Sequence, residues 1–166
     1  ETVPVFKVEV AVKPSKACEL IELCRIEREC FAGEAFTKGH LEILLNARNA
    51  VGLLARVDGE VAGFVIGVVE NYQTFTVGHI YTINVAEKHR RKGVGRKLLE
   101  EVEKVFLREG AEASYLEVRS DNLAARRLYQ KQEYHEIESL DDYYSRGISG
   151  LRLKKQLRPT RNSSGV

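Results

Sequence analysis

An apolar run, His79-Ile80-Tyr81-Thr82-Ile83-Asn84-Val85, leads into the basic turn Arg90-Arg91-Lys92-Gly93-Val94-Gly95. That turn opens a segment whose apolar positions, Val94, Leu98, Leu99, Val102, Val105 and Phe106, form one helical stripe. A second alternating run follows at 113–119. Strand, turn, helix and strand in this order make a crossover unit, and its two strands are expected to lie parallel in one sheet. The unit also places the basic turn at the carboxyl end of a strand, where open α/β sheets take their ligands.

The turn has the chemistry of an anion site. A helix start carries unpaired N–H groups at the positive end of its dipole. Glycine lets that backbone approach an anion closely, and arginine adds a planar donor fork. It is not a Walker loop, because no Gly-Lys-Ser/Thr stands at the required spacing. Nor is it a dinucleotide fingerprint, because Leu98 occupies the third glycine position. What remains is Arg-x-x-Gly-x-Gly, with a solvated basic turn as the alternative.

Length and composition narrow the classes. The 166 residues, 43% hydrophobic and 30% charged, fit one ordinary globular domain with a real core. A net charge of +2 gives no global drive toward nucleic acid or a membrane surface, so the basic character at 88–97 is local and suits a small anion. No apolar run approaches the roughly 20 residues that span a bilayer. Glu1-Thr2-Val3-Pro4 lacks a signal-peptide pattern, and the expected location is cytoplasmic. Cys18, Cys24 and Cys30 stand six apart in one helical segment, a spacing that does not share a helix face. They read as packed thiols, with no metal-ligand spacing and no disulfide framework.

Along the chain, alternation predicts a strand at 2–12, and Pro14-Ser15 opens a helix to about residue 30. A second helix covers 36–47. Strands at 50–57 and 61–70 flank the hairpin turn Val57-Asp58-Gly59-Glu60, and a strand at 77–86 follows. The helix after the basic turn ends at Gly110. A strand at 113–119 precedes a helix at 122–131 capped by Ser120 or Asp121, and two strands, 132–139 and 148–156, close the fold. The expected architecture is α/β (a mixed α+β sheet) of about seven strands, helices on both faces and a central parallel pair. One domain spans 1–157, and 158–166 is a loose polar tail.

Several residues are candidates for chemistry. In Ser114-Tyr115-Leu116-Glu117-Val118-Arg119, alternation sets Leu116 and Val118 on one face and Tyr115, Glu117 and Arg119 on the other. Glu117 is either a partner in an ion pair, with Arg119 or across strands, or a general base opening onto a cleft. Asn122, Ala125 and Tyr129 share a helix face, with the small Ala125 between the others. Tyr129 reads either as a packed ring or as a proton donor to a leaving group. His79 is a surface or capping group, or a member of the site on the strand that leads to the turn. Glu34 stands in an early loop. The pair Tyr143-Tyr144 is placed in a loop between the last two strands, either packed or clamping a peptide backbone. There is no nucleophile elbow and no metal set.

Taken together, Arg90-x-x-Gly93-x-Gly95 after the strand His79–Val85, then Leu116-Glu117-Val118-Arg119, then Asn122-x-x-Ala125-x-x-x-Tyr129, resembles the GNAT acetyltransferases. The likeness covers roughly residues 5–156. It is nearest to the amino-terminal protein acetyltransferases, including the ribosomal-protein alanine type and archaeal relatives. The resemblance implies acetyl-coenzyme A as donor, released as coenzyme A, and a protein or peptide N-terminus as acceptor. Ile83, Asn84 and Val85 would bind the pantetheine arm and acetyl carbonyl. Arg90, Arg91, Lys92, Gly93, Val94, Gly95 and Arg96 would hold the diphosphate. Asn122 and Ala125 would line the arm, and Tyr129 would face the thioester sulfur. Glu117 and His79 occupy positions used for the base, Glu34 an acidic position near the incoming N-terminus, and Tyr143 and Tyr144 hold the substrate. The expected state is a monomer or weak homodimer, without nucleic acid, membrane or metal. Two departures stand out: Ser145-Arg146-Gly147-Ile148-Ser149-Gly150 replaces an acidic turn, and Glu133-Tyr134 replaces Gly-Phe. A small-amine acetyltransferase and a non-catalytic coenzyme-binding module are the alternatives.

Overall fold

A computed structural model of the chain describes residues 7–12, 17–31, 33 and 35–158. One sheet holds β1 (Val8–Val12), β2 (Ala50–Val57), β3 (Glu60–Asn71), β4 (Thr76–Val85), β5 (Ala113–Arg119), β6 (His135–Ser145) and β7 (Ile148–Gln156), in the order β1-β2-β3-β4-β5-β7-β6. The helices are α1 (Ala17–Phe31), α2 (Lys38–Asn46), α3 (Val94–Arg108) and α4 (Leu123–Lys131). β4 and β5 are parallel, and every other described pair is antiparallel. The start of the first expected strand, the opening of the first helix at Pro14-Ser15, Glu34 and most of the expected tail lie outside the described residues.

Each face of the sheet has its own core. On one, the apolar stripe of α3 (Val94, Leu98, Leu99, Val102, Phe106) packs on Leu53, Val65, Ile80, Leu116 and Val118, with Tyr129 of α4 beside it. On the other, Leu23 and Ile26 of α1 and Leu41 and Leu45 of α2 cover Leu54, Phe64 and Ile66. Each such leucine or phenylalanine, fully buried, contributes about 1.5–3 kcal/mol. Phe106 lies over two glycines. A Cβ on Gly78 would stand 2.1 Å from its ring, and one on Gly67 would stand 2.6 Å away. Gly78→Ala is therefore expected to overpack this core and cost about 2–3 kcal/mol, read as a lowered urea midpoint with unchanged slope.

The feature that shapes the site is the parting of β4 and β5. Their ladder runs only from Val77↔Ala113 to Ile80↔Leu116, although β4 continues to Val85 and β5 to Arg119. The cause is in β4. Against β3, Thr82 pairs with Ile66 and Ile80 with Gly67, so Tyr81 is an extra, bulged residue. A bulge bends its strand and increases the local twist, which carries β4 away from β5. It also resets the alternation of sides. Thr82 and Asn84 turn to α1, where they donate to Glu27 at 2.8 and 2.6 Å, while Ile83 and Val85 pack with the α3 core.

Two local expectations are corrected. Asn122, rather than Ser120 or Asp121, caps α4, its Oδ1 accepting from the Ala125 N–H at 3.1 Å. Ser120 Oγ instead donates to the Ser149 carbonyl and Asp121 is claimed by Arg119, so neither is left to cap. Tyr143 and Tyr144 are not in a loop: β6 runs through them to Ser145. The reversal is tightened by the Gly147 N–H donating to Asp142 Oδ1 at 2.6 Å, which leaves room for a longer strand.

Candidate active site

A cleft of about 430 Å³ opens on the sheet, lined by Glu70, Tyr72, Phe75, Val77, His79, Tyr115, Glu117 and Arg152. The β5 alternation puts Glu117 on the side opposite Leu116 and Val118. Insertion of β7 beside β5 sets Arg152 directly across from it. Arg152 Nε donates to Glu117 Oε1 at 3.1 Å, and its Nη1 donates to Glu138 Oε2 at 2.5 Å. His79 lies between two carboxylates, with Nε2 2.7 Å from Glu117 Oε2 and Nδ1 3.1 Å from Glu70 Oε1. Glu70 also accepts from the Tyr81 hydroxyl at 3.2 Å and the Tyr72 hydroxyl at 3.0 Å. Tyr72 in turn stacks on Phe75, ring centres 4.7 Å apart.

An imidazole that donates to a carboxylate from each nitrogen must be the imidazolium. Burial opposes the charge on His79, but the bonds to Glu117 and Glu70 outweigh it and raise its pKa above the ordinary imidazole value. Burial likewise pushes Glu117 up, and the His79 and Arg152 contacts outweigh it, so the carboxyl titrates below its ordinary range. The raised His79 pKa contributes stability that is fully present below the unfolded imidazole value near 6.5 and lost as pH rises through the folded one. The lowered Glu117 pKa contributes stability present above the ordinary glutamate value near 4.3 and lost as pH falls through the folded one. The urea-midpoint difference between wild type and His79→Gln should therefore be largest between about pH 5 and 6.5 and shrink above that.

The basic turn begins after a short 3-10 turn, Glu87–His89, whose buried His89 is held 3.1 Å from Glu60. Arg91 and Gly93 both have positive φ, 61° and 78°. Gly93 is the N-cap of α3 and supplies no side-chain acceptor, and no acidic residue stands in the first turn. α2 and α4, by contrast, are capped by Thr37 and Asn122. The N–H groups of Val94, Gly95 and Arg96 thus begin a helix with no side chain to satisfy them, the arrangement that receives a phosphate. Arg90 is differently committed. Its N–H bonds the Glu87 carbonyl, its Nε donates to the Val85 carbonyl at 3.3 Å, and its Nη2 lies 3.7 Å from Cys30 Sγ.

The structure brings His79 and Glu117 into contact and sets Tyr143 near them, its pKa raised by burial and then by the Glu117 charge. Tyr143 and Tyr144 meet edge to face, 5.0 Å between ring centres. Tyr129 does not line this cleft. It is buried beside Tyr134, and burial holds its hydroxyl protonated far above neutral pH. Asn84 turns its side chain to Glu27 and Thr82, away from the gap. Asn122 spends its carbonyl oxygen on the α4 cap, and Ala125 is half-buried against the α3 core. Glu34 is not described. Sequence reasoning missed Glu70, Tyr72, Phe75 and Arg152. The one signal for Arg152 is its place beside Lys154 in a period-two pattern that faces an acidic strand position.

The sheet is thus parted at its one described parallel pair, with an uncapped basic helix start as an anion site beside the split. Residues 20–134, more than half of the chain, match the acetyltransferase (GNAT) family, and the chain belongs to that family. An N-alpha-acetyltransferase of Sulfurisphaera tokodaii is 36% identical over 112 residues, 62% of this chain and 67% of that protein. The ribosomal-protein-S18-alanine N-acetyltransferase from Escherichia coli superposes with a TM-score of 0.77 at 18% identity, covering 95% of this chain and 100% of that one. Arabidopsis thaliana NAA60 in complex with acetyl-CoA gives 0.77 at 21%, covering 90% and 98%. The protein is an acetyl-CoA-dependent N-acetyltransferase acting on amines. No described helix is long and apolar enough to cross a membrane.

Proposed function

We propose that this enzyme acetylates the α-amino group of protein N-termini. The observation that carries the reading is the His79–Glu117 couple in a cleft walled by carboxylates and aromatic rings. The carboxylates of Glu70 and Glu117 in the cleft wall offer acceptors to the cationic N-terminus of a peptide. Tyr143, close enough to feel the Glu117 charge, and Tyr144 packed edge to face on it would hold the peptide backbone. The likeness to an N-alpha-acetyltransferase supports the same acceptor.

When bound, acetyl-CoA supplies an acyl carbon activated as a thioester. The turn Arg91–Arg96 grips its diphosphate through backbone N–H groups, with Arg90 bracing the turn against Val85. The β4 backbone at Ile83, Asn84 and Val85, freed from β5 by the bulge, binds the arm, and Asn122 and Ala125 line its other side. An N–H near Val85 stabilises the charge that develops on the carbonyl oxygen, a contribution of about 3 kcal/mol. Glu117 takes the proton from the amine. An α-amine, with a pKa near 8, is about one-tenth neutral at pH 7, whereas a lysine amine near 10.4 is almost wholly charged, so a modest base favours the α position. Tyr129 gives its proton to the departing thiolate. Tyr129→Phe is expected to lower turnover at least about tenfold while acetyl-CoA affinity, measured by calorimetry, stays within about twofold.

The test is an acetyl-transfer screen on peptides that differ in their first two residues and carry an internal lysine, beside polyamines and free amino acids. Mass spectrometry locating the acetyl group on the α-amine supports the proposal. Transfer only to polyamines, amino acids or the lysine side chain overturns it.

A further inference from the structure

We propose that Glu70 is a positioning residue for the acyl transfer, acting through His79 to clamp the imidazole against Glu117. One carboxylate oxygen of Glu117 is thereby fixed, and the other, shared with Arg152, is turned toward the acceptor amine. This rests on Glu117 being the base proposed above.

Glu70 stands at the end of β3, in the wall of the cleft and outside both cores. Three donors converge on its carboxylate: His79 Nδ1 and the Tyr81 hydroxyl on Oε1, and the Tyr72 hydroxyl on Oε2. Those bonds fix where the carboxylate points. The imidazole is fixed in turn, because the Tyr81 ring lies against it with centres 4.5 Å apart. Its Nε2 then meets Glu117 Oε2 at 2.7 Å. The other oxygen, Oε1, accepts from Arg152 and keeps a second lone pair for an incoming ammonium. Exposure rises outward along the chain, with side chains of Glu117, His79 and Glu70 at 10%, 22% and 27%. The innermost charge is thus set by groups nearer to water.

The reaction needs such a fixed carboxylate. As the nitrogen–carbon bond forms and the carbon–sulfur bond breaks, the ammonium loses two protons: one passes to solvent by way of Glu117, and the other replaces the proton that Tyr129 gives to the thiolate. No oxidant or reductant enters. If His79 were neutral, it would offer only one N–H to two carboxylates and release one of them. The groups facing His79 are Glu70 from β3, Tyr72 beyond it, Tyr81 from β4, and Tyr115 and Glu117 from β5. Arg152 from β7 and Glu138 from β6 lie behind Glu117. Of the two carboxylates that contact His79, Glu70 is the one whose removal leaves the base itself intact.

Glu70→Gln tests this, because the amide keeps an acceptor for His79 and loses only the charge. In proton NMR of the free enzyme, the His79 midpoint is expected to fall by about one pH unit. The descending alkaline limb of kcat/KM should move down by the same amount, with acetyl-CoA affinity unchanged. An unmoved His79 midpoint overturns the proposal, and so does an alkaline limb that stays in place while the midpoint moves. The NMR measurement needs no acceptor, and the rate profile is taken with whichever amine is turned over. Transfer to small amines alone would therefore sink the N-terminal reading and leave this one standing, whereas a still midpoint sinks this one alone.

Discussion

Glu117→Gln is expected to lower kcat/KM by about 10²- to 10⁴-fold, the range for losing a general base. The two side chains have nearly the same shape, so the cleft keeps its form. What is lost is the group proposed to take the proton, together with the charge that both His79 and Arg152 face. Arg152 retains Glu138 and His79 retains Glu70, so neither cation is stranded. Glu117 lies on β5, away from the α3 turn, and acetyl-CoA affinity should therefore change by less than about threefold (under 1 kcal/mol). Steady-state kinetics across pH, paired with calorimetry, separate the two. Loss confined to acetyl-CoA binding, or an undiminished rate with the wild-type pH profile, would remove Glu117 as the base.

Gly95→Asp should act at the other end of the site. It places a carboxylate in the first turn of α3, where the account puts the diphosphate. A Cβ at Gly95 comes 3.0 Å from Leu128 Cδ2, the mobile end of a side chain that can give way. An acidic residue near a helix N-terminus stabilises the free helix. Fold stability is thus expected to hold or rise slightly while acetyl-CoA affinity falls on the order of 100-fold, about 2.7 kcal/mol. The opposite signs of these effects make the prediction discriminating. Thermal unfolding with and without saturating acetyl-CoA reads both: the free variant melts at or above wild type and gains little from the ligand. A variant that binds normally would place the diphosphate elsewhere.

Much of this was legible in the chain. The β4–α3–β5 crossover is written in a period-two run, a basic glycine turn and a period-3.6 stripe, and the structure reproduces that order. The side taken by Glu117 was also legible, because nothing interrupts the alternation of β5. The β4 bulge was not, since an extra residue is decided by the partner strand and not by local pattern. Its effect is that Asn84, which alternation alone would set opposite His79, turns with it toward α1. Arg152 and Glu70 were hidden for a related reason. Their contacts with Glu117 and His79 cross 35 and 9 positions of sequence and depend on β7 entering the sheet between β5 and β6 and on the β3–β4 hairpin register. The α4 cap shows the local version of this limit. Ser120, Asp121 and Asn122 are all capping residues, and outside contacts to the first two decide which remains.

The uncapped start of α3 and the freed end of β4 are together expected to receive acetyl-CoA beside Glu117. Amide chemical-shift mapping of the nitrogen-15-labelled enzyme, titrated with acetyl-CoA to saturation, reads this out residue by residue. The largest shifts are expected at Val85, Val94, Gly95 and Arg96, with smaller ones at Asn122 and Glu117. Saturable binding that leaves the Val94–Arg96 amides unmoved would contradict the account.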